Sequence, residues 1–312
     1  MGISSFRASL VAATFVLLIG VVSPPANASL PLAWVSVDVP QSSGTALYTA
    51  NGSNIVGCYG NSAGPAGWHG FLYDGNKWTT EDYPGSVQTA VFGVNGTTLV
   101  GWYLDSAQRS HGFVYNGTSW NTVDFPGAAS TLGVYGTNGS TIAGTYFDSS
   151  GNQHGFEYDG AAWKTLNAPG ATSTCVEGMY GSQLCGYYDD ATGQHGFVYD
   201  TGNWKTVDVP GFSRSNVEAI SGTLLVGGVD NGAGPADGFV YDGSSWILLD
   251  YPAAQRTAIG GFSGSNLVGS YIDAAGVEHG FTVTNPIPEP ATIGILGLGV
   301  VGLLALRRSG GR

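Results

Sequence analysis

Between Leu32 and Thr284 the chain alternates short apolar runs with pairs of turn residues. One stretch serves as a template. Ala90-Val91-Phe92-Gly93-Val94 leads into Asn95-Gly96, and Thr98–Leu104 returns from it. A polar turn, Asp105–Ser110, then precedes His111–Tyr115. Asn116-Gly117 turns again, and Trp120–Phe125 ends at Pro126-Gly127. Asn-Gly between β-prone runs is a strong hairpin signal, so the stretch predicts four antiparallel strands. Bulky residues fall on both faces of Leu99–Leu104, as in a sheet covered on both sides. No segment of this region has the period of an amphipathic helix.

The template recurs six times. Its core reads H-G-F-x-Y-D-G-x-x-W-x-T-x-D-x-P-G. His69, His111, His154, His195 and His279 open five copies and Asp237 the sixth, at spacings of 42, 43, 41, 42 and 42 residues. Trp34, Trp78, Trp120, Trp163, Trp204 and Trp246 keep the same beat. A period of 40–45 residues with four strands per unit fits a propeller blade. The chain enters at a fourth-strand motif, Trp34–Pro40, and leaves after a third-strand motif, His279–Val283. The first strand can thus complete the last sheet and close a ring. The expectation is an all-β, six-bladed β-propeller. Tandem β-trefoils are the alternative, disfavoured because each unit shows four strands and the ends offer closure.

The flanks differ in composition. Residues 1–28 read as a signal peptide: Arg7, an apolar Leu10–Val22, and Ala26-Asn27-Ala28 as the cleavage signal, with Ala28 the last residue removed. The domain expected to follow spans 29–284, leaving 285–312 as a tail. That tail holds Pro288-Glu289-Pro290, an apolar Ala291–Leu306, and Arg307, Arg308 and Arg312. Sixteen residues rising about 1.5 Å each reach about 24 Å, slightly short of a bilayer core. The arginines favour the cytoplasmic side. With Pro-Glu-Pro, Gly/Leu-rich helix and Arg cluster in order, the tail resembles the PEP-CTERM sorting signal. The resemblance implies a Gram-negative exporter, recognition and removal near Pro288, Glu289 and Pro290 by an exosortase-type enzyme, and contact with the membrane only through the tail before processing. Gly297–Gly302 matches G-x-G-x-x-G, but it lies inside the apolar anchor rather than in a βαβ unit, so it does not predict a nucleotide site.

Glycine is abundant, 51 of 312 residues, and charged residues make up only 10%. Between residues 29 and 285 six bases stand against 21 acids, a net charge of −15. Such a surface repels phosphate backbones, which argues against nucleic-acid partners. Three cysteines, Cys58, Cys175 and Cys185, form no C-x-x-C pattern. Cys175 and Cys185 flank a predicted hairpin turn and are expected to pair.

Conspicuous side chains recur in equivalent slots, which reads as architecture. The histidines open strands, where they hold turns by hydrogen bonds. Asp38, Asp82, Asp124, Asp208 and Asp250 sit in the fourth strand, with Asn167 in the remaining copy. On an outermost strand they would cap turns; on an innermost one they would form a carboxylate ring for a hard cation. The first placement is expected. Gly60–Gly64 matches G-x-S-x-G but lacks the strand-to-helix turn of a nucleophile elbow. No catalytic residue, metal site or cofactor is expected. Trp68 and Trp102 fall outside the tryptophan register and are the expected ligand contacts. The repeats resemble the HAF-type extracellular repeats of bacterial surface proteins, with Gly in place of Ala in every copy. The expected role is an exported interaction scaffold of the cell surface or biofilm matrix, with exopolysaccharide as partner. The alternative is a propeller-type polysaccharide lyase or hydrolase, marked by a polar cluster that breaks the repeat at one mouth of the ring. None stands out in the sequence.

Overall fold

A computed structural model describes residues 32–61, 67–232 and 237–284. It contains 24 strands. The first, β1 (Ala33–Ser36), belongs to the last blade. Blade 1 comprises β2 (Ser42–Asn51), β3 (Asn54–Asn61), β4 (Trp68–Tyr73) and β5 (Trp78–Thr80). Blade 2 comprises β6 (Gln88–Asn95), β7 (Thr98–Leu104), β8 (Ser110–Tyr115) and β9 (Trp120–Val123). In blade 3 are β10 (Ser130–Thr137), β11 (Ile142–Phe147), β12 (Gln153–Tyr158) and β13 (Trp163–Leu166). Blade 4 holds β14 (Ser173–Tyr180), β15 (Gln183–Asp189), β16 (Gln194–Asp200) and β17 (Asn203–Val207). Blade 5 follows with β18 (Arg214–Ser221), β19 (Leu224–Asp230), β20 (Asp237–Tyr241) and β21 (Trp246–Leu249). Blade 6 ends the chain with β22 (Arg256–Ser263), β23 (Asn266–Ile272) and β24 (Glu278–Thr284).

Blades 1 to 5 are each four-stranded antiparallel meanders, blades 4 and 5 being joined by one parallel bridge, Gln194 to Arg214. In the sixth, β1 pairs with β24, Ala33 opposite Thr284 and Ser36 opposite Phe281. The ring therefore closes with one strand from the start of the chain and three from its end. This is a six-bladed β-propeller, and the β-trefoil alternative is excluded. The expected signal peptide and sorting tail lie outside the described residues. No helix among the described residues is long and apolar enough to cross a membrane.

The repeat motif is the recipe for one blade. Phe71, Phe113, Phe156, Phe197, Phe239 and Phe281, the phenylalanines of H-G-F, are all almost fully buried. The in-register tryptophans pack on them from the outer strand: Trp120 lies 5.0 Å from Phe113 and stacks on Tyr115 at 4.5 Å. Six buried hydroxyls tie blade to blade. Thr89 accepts from the Tyr83 amide at 3.1 Å, and Thr45, Thr131, Thr174, Ser215 and Thr257 repeat the contact. The glycine of H-G-F is required by packing. A Cβ on Gly112 would press on the Val123 carbonyl and on Val134 of the next blade, so the alanine of an H-A-F pattern has no room.

The expected hairpin turn shifts by one residue. Asn95 pairs with Thr98, which leaves Gly96 and Thr97 as the loop, with Gly96 at φ 60°. A left-handed glycine in the first loop position marks the primed turn that matches strand twist.

The expected Cys175–Cys185 disulfide is not formed. All three cysteines are free and buried. Cys175 lies opposite Tyr187 and Cys185 opposite Gly178, with a register shift between these rungs. Cys175 meets Thr145 of blade 3, whereas Cys185 packs with Val217 of blade 5. The extra residue in β14 carries the two sulfurs toward different neighbours.

Candidate binding site in the central channel

The repeated histidines and aspartates lie at the outer part of the blades. The fourth strand is outermost, so its aspartates do not ring the channel. His111 Nδ1 meets Asp124 at 2.8 Å, His69 meets Asp82 at 2.7 Å and His195 meets Asp208 at 2.9 Å. His154 meets Asn167 at 2.7 Å. Where a turn aspartate is present it approaches the other ring nitrogen, as Asp105 does to His111 at 3.4 Å. Each histidine thus clamps the end of the fourth strand, and often the preceding turn, to the third strand. His279 grips Asp38 at 3.0 Å across 241 residues, and the Gly280 amide donates to the same carboxylate at 3.0 Å. Burial works against charging His195 and His279, but the carboxylates beside them raise both above the ordinary histidine value. Among the described residues no group of three or more such side chains is arranged to hold a metal ion.

The innermost strands, β2, β6, β10, β14, β18 and β22, enclose a cavity of about 740 Å³. Each carries a β-bulge at the same place, and the unpaired residue is Tyr48, Phe92, Tyr135, Glu177, Glu218 or Gly260 in turn. A bulge re-aims a side chain; here it supplies a ring of six residues lining the channel. The ring is asymmetric. Blades 1 to 3 contribute aromatic rings: Tyr48 meets Phe92 edge-on at 5.0 Å, and Phe92 stacks on Tyr135 at 4.5 Å. Blades 4 and 5 contribute the two glutamates, and blade 6 a glycine lying against the Tyr48 backbone.

The glutamates share one donor. Asn216 Nδ2 donates to Glu218 Oε1 at 2.5 Å and to Glu177 Oε2 at 3.3 Å, while the Gly228 amide fixes the Asn216 carbonyl at 3.0 Å. Burial, together with the charge of Glu218, pushes Glu177 well above the ordinary carboxylate value. Burial pushes Glu218 up to about 7, against the Asn216 hydrogen bond and the distant pull of Arg256. Two carboxyls this close hold back each other's ionisation.

Trp68 and Trp102 pack with Ala46, Cys58 and Ala90 against Tyr48 and Phe92. They back the aromatic arc and are themselves half-buried. Glu177, Glu218 and Asn216 form the repeat-breaking polar cluster that did not emerge from the sequence. The signal was present: the slot reads Tyr, Phe, Tyr, Glu, Glu, Gly when the six copies are aligned on the buried hydroxyl and the valine-like residue after it.

Two solved structures of similar fold are TolB from Acinetobacter baumannii and the SapL1 lectin in complex with alpha methyl fucoside. TolB is 14% identical at a TM-score of 0.51, over 80% of this chain and 65% of that one. The lectin is 14% identical at 0.50, over 80% of this chain and 99% of the other. At such identity the likeness is one of fold. No curated protein matches the chain. The PEP-CTERM protein-sorting motif matches residues 286–309. The chain is thus a six-bladed propeller followed by the sorting signal of an exported Gram-negative protein.

Proposed function

We propose that this protein is a non-catalytic interaction scaffold of the cell surface or extracellular matrix, delivered by an exosortase-type processing enzyme, and that its channel binds carbohydrate. The observation that carries the reading is the channel ring, where three aromatic side chains face two carboxyls in a cavity of about 740 Å³. Aromatic faces stack on the apolar faces of sugar rings, and carboxyls with a fixed amide accept and donate to hydroxyls. A net charge of −15 over residues 29–285 disfavours polyanionic glycans. The test is a glycan array followed by titration calorimetry with wild type, Phe92→Ala and Tyr135→Ala. Binding of a neutral or cationic glycan that both variants weaken supports the reading. Binding that neither variant alters places the site elsewhere.

A second reading is favoured by Glu177 and Glu218. A carboxyl that keeps its proton beside one that ionises is the pairing used in glycoside hydrolysis. Release of reducing ends from a polysaccharide, abolished by Glu177→Gln or by Glu218→Gln, would establish the enzyme and displace the scaffold.

A further inference from the structure

We infer that the channel ligand is a glycan bearing a protonated amine, with its ammonium group seated between the Glu177 and Glu218 carboxyls and the arc of Tyr48, Phe92 and Tyr135. This deepens the carbohydrate reading and rests on it.

Among the described residues the cavity lacks a positive charge to match its acids. Two carboxyls on adjacent strands, β14 and β18, share a single amide donor. The charged and titratable groups around them are Arg256 from β22, Tyr135 from β10, Tyr187 from β15, and Cys175 and Cys185. Only Arg256 among these is positive. It opens β22 on the exposed side, where it reaches Glu218 only at long range. Anionic sugars would add negative charge beside two acidic groups. Neutral sugars would leave the carboxyls without a compensating charge. An ammonium group relieves both costs, because it compensates the carboxylates together.

The facing arc supplies the second half of the recognition. An aromatic face attracts a cation through its ring quadrupole, most strongly where water is displaced. In the sixfold order Tyr48 stands across the ring from Glu177, and Phe92 across from Glu218. A group near the axis therefore has the aromatic arc, in which Phe92 and Tyr135 stack on each other at 4.5 Å, on one side and the two carboxyls on the other. Gly260 adds no side chain to the ring and lies against the Tyr48 backbone.

An ammonium group favours the ionised forms of the carboxyls beside it. Binding should therefore release protons and tighten as pH rises through about 7, where Glu218 titrates in the empty channel.

The experiment titrates the full chain with three probes: a glucosamine tetramer, its fully N-acetylated counterpart, and an N-trimethylated tetramer whose charge does not depend on pH. The free-amine and trimethylated probes are expected to bind. The acetylated probe should bind on the order of tenfold more weakly or less, the scale of losing a charged partner. Affinity for the trimethylated probe should rise between pH 6 and pH 8. Glu177→Gln combined with Glu218→Gln should remove both the discrimination and the pH dependence. A neutral amide suffers no ionisation cost in the channel, so this variant should melt no lower than wild type. Equal binding of the acetylated and free-amine probes overturns the amine inference and leaves the carbohydrate reading standing. A double variant that folds and keeps the preference overturns it too. If no glycan binds in any arm, both readings fall.

Discussion

Each H-G-F glycine sits where the next blade arrives, and this makes the position intolerant of a single methyl group. Gly112→Ala should destabilise by about 1–3 kcal/mol, the usual range for overpacking; a lowered urea midpoint with an unchanged slope would show it. Titration acts at the same scale. Glu177 and Glu218 have raised values when folded, so their neutral forms are favoured by folding. Their stabilisation is complete below the unfolded glutamate range near 4.5; for Glu218 it is lost as pH climbs through about 7, and for Glu177 as pH rises well above the ordinary carboxylate range. His195 and His279 are raised as well; their contribution is complete below about 6.5 and fades as pH rises past it. Turn aspartates such as Asp105 and Asp148 are lowered and act oppositely, losing their contribution as pH falls below the ordinary range. The melting temperature should therefore decline from about pH 5 to pH 8. Glu218→Gln should flatten part of that decline, and a scan showing an unflattened slope would contradict the channel assignment.

At the scale of strands and turns, ring closure depends on β1. Trp34 packs on Phe281 at 5.0 Å and on Tyr251 at 5.3 Å, and Asp38 receives the His279 clamp. Trp34→Ala should cost about 3 kcal/mol, the lower end for a lost tryptophan because this one is half-buried. Its effect should appear as faster proteolysis within β22 to β24, whereas Trp120→Ala should loosen blade 2. Equal cleavage of all blades in both variants would count against local closure. The strands were largely legible in advance, because Asn-Gly pairs, Pro-Gly stops and the H-G-F beat are local signals. The bulges were not. An extra residue in every inner strand, and a second in β2 and β10, leaves hydrophobic alternation looking merely imperfect, and Glu177 reads as an ordinary strand glutamate until the fold shows which side it faces. In blade 3, Leu132 and Gly133 stand where the other inner strands have one residue, which blurs alignment of the slot. The disulfide expectation failed for the same reason: a bulge between two cysteines alters which neighbours they meet.

For the whole molecule, six near-equivalent blades hold one unequal ring. Repetition accounts for the conspicuous histidines, aspartates and tryptophans, so chemistry read from frequency alone points to the rim. The informative residues are those that depart from the repeat, and they converge on the axis. Delivery is a separate matter, on which the sorting motif at residues 286–309 bears. Removing residues 285–312 should release a folded propeller into the medium, while the full chain is retained or processed at the envelope. Fractionation that finds the intact tail on soluble wild-type protein would refute that assignment.

Ala33 lies directly opposite Thr284, so the two ends of the folded chain leave from neighbouring points on one blade. The contact spans about 250 residues and forms only after the final strand has been made. Five blades can zip in sequence behind an advancing chain, but the sixth must wait for synthesis to finish. The last blade therefore locks last, once its C-terminal strand is available to pair with β1. Once locked, the ends are close enough for a short linker to join them, and new termini could then be opened at any outer hairpin without disturbing the axis.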